Sequence, residues 1–88
     1  MRINKKSFVK ARVHCSLTPG DALRMLRELQ GLSQNELARK TGISQSNISA
    51  LESDMRKMGR DRALVLAKAL HVHPAVLLFP DFDMAEVA

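Results

Sequence analysis

Residues 33–52 read SQNELARKTGISQSNISALE, and the pair Ser-Gln opens this stretch twice, at Ser33-Gln34 and at Ser44-Gln45, with Gly42 in between. Serine is favoured immediately before a helix, where its hydroxyl accepts a hydrogen bond from an otherwise unpaired backbone N–H. Ser33 is followed by Glu36, the spacing of a capping box in which the carboxylate reaches back to the serine amide. The duplication therefore predicts two short helices, each opening on a glutamine. They are joined by a turn at Gly42, a residue free to adopt a left-handed backbone. Leu37 and Ala38 face inward on the first of these helices, with Ala38 small where the two must approach. Ile43, Ile48 and Leu51 pack the second against the rest.

The remaining chain supplies the scaffold for this pair. Thr18-Pro19-Gly20-Asp21 is a helix start, with Thr18 as cap, Pro19 in the first turn and Asp21 at the positive end of the dipole. Ala22, Leu23, Leu26 and Leu29 then mark one apolar face, and Gly31 stops the run. A fourth helix is expected from about Arg60 to Leu70, with Ala63, Leu64, Ala67 and Leu70 facing in. The last is short, from Pro74 through Ala75-Val76-Leu77-Leu78-Phe79 to Pro80, with Leu77 in the core. The expected fold class is all-α, a compact five-helix bundle containing a helix-turn-helix. Residues 1–16 lack a clear period and read as a basic N-terminal arm, 17–80 as the domain, and 81–88 as an acidic C-terminal tail.

Composition narrows the function. The 88 residues suffice for one small domain. Only 3% are aromatic, so the core must come from Leu, Ile, Val, Ala and Met. Fourteen Lys and Arg against nine Asp and Glu leave a net charge of +5, which suggests a polyanionic partner. The positive charge is local: Arg2, Lys5, Lys6, Lys10 and Arg12 lie in the arm, and Arg56, Lys57, Arg60 and Arg62 in the middle. No apolar run approaches a membrane span, and no apolar stretch follows the basic start to make a secretory signal. Cys15 is the single cysteine, so no internal disulfide forms and a reducing cytoplasm is expected. His71 and His73 flank Val72 near a helix end and do not converge as metal ligands would, so capping or surface roles are expected for them. No Gly-rich phosphate loop, nucleophile–base pair or carboxylate pair is recognisable, so no metal, no cofactor and no enzymatic activity are expected.

Gln34, Leu37, Ala38, Gly42, Ile43, Ile48, Leu51 and Glu52 together resemble the Xre/Cro-like helix-turn-helix DNA-binding family, which includes the phage repressors. The resemblance runs from about Thr18 to Phe79 and implies a lambda-repressor-like fold. It further implies that Gln34 binds a phosphate and supports Gln45, and that Gln45 opens the recognition helix and meets a base edge. A glutamine amide can pair bidentately with adenine through N6 and N7. Ser44, Gln45, Ser46, Asn47, Ser49 and Ala50 form the opening and exposed face of that helix. An ordinary solvated face would favour Glu, Lys and Arg over these mediocre helix formers. Arg39, Arg56, Lys57 and Arg60 are the candidate phosphate contacts. The family often pairs an arginine in the first helix with a glutamate ending the recognition helix, and Arg27 and Glu52 hold those positions. Such a pair contributes little if exposed. Relatives commonly have glycine soon after that glutamate, whereas this chain has Ser53-Asp54 and a longer loop.

The implied partners are double-stranded operator DNA and a second copy of the chain, with no membrane. Val65, Val76, Leu78, Phe79 and Phe82 are left over once the core is assigned and are the expected homodimer interface. Two roles fit. LTPGDALRMLRELQGLSQ with HPAVLLFPDFD resembles the antitoxins of type II toxin–antitoxin pairs, which repress their own operon and hold a toxin; the other role is a stand-alone phage-type or chromosomal repressor. The arm is then either the toxin-binding segment or a tail that scans phosphates.

Overall fold

The computed structural model describes residues 17–81, and within them five α-helices succeed one another without a strand: α1 Pro19–Leu29, α2 Gln34–Thr41, α3 Gln45–Glu52, α4 Arg60–Leu70 and α5 Pro74–Leu78. The expected arm at 1–16 and the tail from residue 82, Phe82 included, lie outside the described residues.

The helix starts follow local chemistry. Thr18 Oγ1 accepts from Asp21 N at 3.0 Å while Thr18 N donates to Asp21 Oδ2 at 3.2 Å, a reciprocal cap on α1. Ser33 and Glu36 make the same exchange on α2, at 3.0 and 2.8 Å. Ser44 Oγ accepts from Asn47 N at 3.2 Å and opens α3. His71 and His73 are caps: His71 takes the left-handed position ending α4, and His73 Nδ1 accepts from Ala75 N at 3.0 Å to open α5.

Leu23, Leu37, Ile48, Leu51, Leu66, Leu70 and Leu77 are the largest fully buried side chains, and together they draw on all five helices. Helix α3 packs between α1 and α2, α4 lies against α2 and α5, and α5 also touches α1. Two expected core positions are corrected. Leu64 is exposed and Leu66, unassigned from sequence, is fully buried. The inward face of α4 runs Ala63, Leu66, Ala67, Leu70, with Leu66 and Ala67 three and four residues after Ala63, and at 3.6 residues per turn Leu64 stands about 100° away from Ala63. Leu29 lies on the same side of α1 as Ala22 but is 78% exposed, because that face overhangs an open groove at the helix end.

A further contact joins α1 to the end of α3. A Cβ on Gly20 would press on the carbonyl oxygens of Leu51 and Glu52 and on the Asp54 carboxylate, so only glycine permits this approach. Asp54, at φ 61°, accepts from Thr18 Oγ1 at 2.7 Å and from Gly20 N at 3.1 Å.

Candidate nucleic-acid interface

The turn between α2 and α3 is fastened from within. Gly42 sits at φ 78° and donates its N–H to Ala38 O at 2.8 Å. Thr41 Oγ1 donates to Leu37 O at 2.8 Å and accepts from Ile43 N at 3.2 Å. Ile48 and Leu51 anchor α3 in the core, and this leaves Gln45 and Ser46 exposed and Asn47, Ser49 and Ala50 half-buried. Ser44 and Ser46 hydroxyls lie 3.3 Å apart at its opening.

Behind this face the structure brings four predicted residues into one chain of hydrogen bonds. Arg27 grips Glu52 with two parallel bonds, Nε to Oε2 at 2.5 Å and Nη2 to Oε1 at 3.0 Å. Its remaining nitrogen, Nη1, donates to Leu32 O at 2.7 Å, tying in the loop before α2. Glu52 Oε1 also accepts from Gln34 Nε2 at 2.9 Å, and Gln34 Oε1 accepts from Gln45 Nε2 at 2.6 Å. The recurrence of Ser-Gln thus has a physical sense: the caps place both glutamines at first helical positions, and their amides meet. Both Arg27 and Glu52 are buried, so the pair is a structural element rather than the weak surface contact that an exposed pair would be. The hydrogen bond to Glu52 outweighs desolvation and, with the charge of Glu52, raises the Arg27 pKa above its ordinary value, so the guanidinium stays charged.

The basic candidates are all exposed. Arg39 is exposed in the last turn of α2, Arg56 and Lys57 in the loop after α3, and Arg60 at the first position of α4. That loop is folded back, with Met55 N and Arg56 N donating to Ala50 O at 2.9 and 3.2 Å. Asp54, which sequence reasoning missed as an anchor, accounts for the absence of glycine after Glu52. It adopts the left-handed conformation that glycine commonly supplies, which Asp tolerates, and its carboxylate ties the loop to the start of α1. The signal was present in two places: a glycine inside a first helical turn, and Ser53-Asp54 where a glycine was expected.

Lined by no residue of α2 or α3, an open apolar groove of about 760 Å³ lies between α1 and α5, with Met25, Leu29, Val76 and Phe79 among its walls. Of the residues expected at a dimer interface, Val65, Val76 and Phe79 are exposed. Leu78 is half-buried and packs against the core, so it is only partly free for such a contact. No helix among the described residues is long and apolar enough to cross a membrane.

Comparison with known proteins decides the family. A helix-turn-helix family model matches residues 23–77. The chain belongs to the helix-turn-helix family. A DNA-binding transcriptional regulator is the function class that goes with this membership. The P22 c2 repressor in complex with synthetic operator 9T, in the presence of Tl+, is 28% identical with a TM-score of 0.69, over 73% of this chain and 97% of that one. The restriction-modification controller protein C.AhdI from Aeromonas hydrophila is 34% identical with a TM-score of 0.66, over 77% of this chain and 98% of that one. No curated protein matches the chain in a sequence search.

Proposed function

We propose that this protein is a sequence-specific repressor that reads operator DNA with α3. Gln45 is exposed at the first position of α3 with its amide held by Gln34, and this is the observation that carries the proposal. An amide so placed offers a donor and an acceptor together, the pattern that matches adenine in the major groove. Ser44, Ser46, Asn47 and Ser49 are short enough to let the helix approach base edges. Gln34, Arg39, Arg56, Lys57 and Arg60 face phosphates. The P22 c2 repressor, solved on an operator, supports the same use of the fold.

The protein acts as a homodimer, because one such helix spans a single half-site, and two-fold symmetry places two reading helices about 34–36 Å apart on one face of the duplex. The exposed Val65, Val76 and Phe79 are apolar surface available for that contact. Within this class, the resemblance of LTPGDALRMLRELQGLSQ and HPAVLLFPDFD to antitoxins supports the role of an antitoxin that represses its own operon. A small nuclease-like neighbour in the adjacent reading frame is the expected observation; a neighbour of any other kind leaves a stand-alone repressor.

The decisive test is Gln45→Ala, assayed by operator selection and titration. It is expected to weaken specific binding by about 1–3 kcal/mol and to abolish sequence preference at one position per half-site, with the fold intact. Unchanged affinity and preference would remove Gln45 from the reading face.

A further inference from the structure

We infer that Arg27 and Glu52 are positioning residues that decide which base Gln45 selects, by fixing the direction in which its amide points. This rests on Gln45 being a base-reading residue, as proposed above.

A glutamine amide has an oxygen and an NH2 of nearly the same shape, and rotation by 180° exchanges acceptor for donor. A free Gln45 would present either order to a base pair. Here the order is dictated from the buried end of the chain of bonds. Glu52 is held by the Arg27 fork, with both carboxylate oxygens engaged, and an ionised carboxylate only accepts. Gln34, 2.9 Å from Glu52 Oε1, must therefore turn its NH2 inward. Its oxygen is left facing Gln45, 2.6 Å away, and this accepts only the NH2 of Gln45. Each orientation follows from the one before.

The two N–H bonds of an amide point in different directions. In Gln45 the bond to Gln34 occupies one, leaving the other N–H and the oxygen as a donor–acceptor pair. That pair, in a single order, matches adenine N7 and N6. The order originates in a carboxylate three hydrogen bonds removed from the base, and it holds whether or not Gln34 also touches a phosphate.

Three variants of the full chain test this, each bound to an operator library in which every position is varied. Gln34→Met cuts the link and leaves the Arg27–Glu52 pair in place. It is expected to reduce the preference at the Gln45 position about tenfold and leave preferences elsewhere unchanged. Loss of a phosphate contact alone would weaken all sequences alike and leave that ratio where it was; this result overturns the inference. Arg27→Glu combined with Glu52→Arg keeps a buried ion pair but turns a donor towards Gln34. The preferred base pair at that position should then change to one presenting donor and acceptor in the opposite order, and retention of adenine overturns the inference. Should the exchange prevent folding, seen as loss of the cooperative melt, Gln34→Met decides alone. Gln45→Ala separates the two levels. If it leaves every preference unchanged, the reading role itself fails; if it abolishes one preference that Gln34→Met does not touch, only the positioning role fails.

Discussion

Helix α1 serves two ends of the molecule that are built on opposite principles. One side of it sends Arg27 into a chain of hydrogen bonds with Glu52, Gln34 and Gln45, in which no buried side-chain nitrogen or oxygen lacks a partner. The other side presents Met25 and Leu29 to an open apolar groove shared with Val76 of α5 and with Phe79, which caps the end of that helix. Polar groups taken from water must be satisfied one by one, so the first end is specified atom by atom. Apolar surface carries no such demand, so the second end is defined by what is left uncovered. The bonded end backs the proposed reading face, and the uncovered apolar end is where the proposed dimer contact would lie.

Cutting the polar end should have the largest effect. Arg27→Ala leaves the Glu52 carboxylate buried without its partner and is expected to cost about 3–5 kcal/mol of stability, measured by chemical denaturation. A loss below about 1 kcal/mol would mean that the pair behaves as a surface contact and that the contrast between the two ends is false.

Neutralising Arg56 and Lys57 together sharpens the comparison by testing the basic rim apart from the buried pair. Log affinity for operator should fall linearly with log salt in the unaltered protein, and the double variant should flatten the slope by about 0.9 for each phosphate that is no longer neutralised. All sequences should weaken alike. A slope that does not change means that these two residues do not face phosphates.

The apolar end is tested by Phe79→Glu. Phe79 is 62% exposed, so the substitution should leave monomer stability within about 0.5 kcal/mol. Sedimentation at micromolar concentration should show a dimer for the unaltered chain and a monomer for the variant. Leu78 is a poor choice for this purpose because it packs against the core. A monomeric unaltered protein would rule out the dimer.

The smallest effect belongs to the cap of α2. The Glu36 carboxylate accepts from the backbone N–H of Ser33, and hydrogen bonding to Ser33 lowers its pKa below the ordinary glutamate value. The ionised form is therefore favoured by folding. This contribution is present above the unfolded-chain pKa, about 4.3, and is lost as pH falls through the lower folded value. Thermal melts should show the stability difference between the unaltered protein and Glu36→Gln shrinking across that window. A difference independent of pH would mean that the carboxylate charge does not act at this cap.

By itself the sequence determined what depends on neighbours along the chain. Thr18, Ser33 and Ser44 each make a side-chain cap with an amide three residues on, so the starts of α1, α2 and α3 were legible, as was the left-handed turn at Gly42. The helix-turn-helix followed from those local signals, and with it the placement of Gln34 and Gln45. Tertiary structure decided what depends on residues far apart. Whether Leu64 or Leu66 enters the core turns on which side of α4 meets its neighbours, since an apolar pattern that includes both leaves the choice open. The burial of Arg27 with Glu52, 25 positions apart, and the bond from Thr18 to Asp54, 36 positions away, arise only when α1 lies against the end of α3. Residue spacing encodes a hydrogen bond within one helical turn, but a bond between helices also needs the packed core that brings them together, and that core is a property of the whole chain.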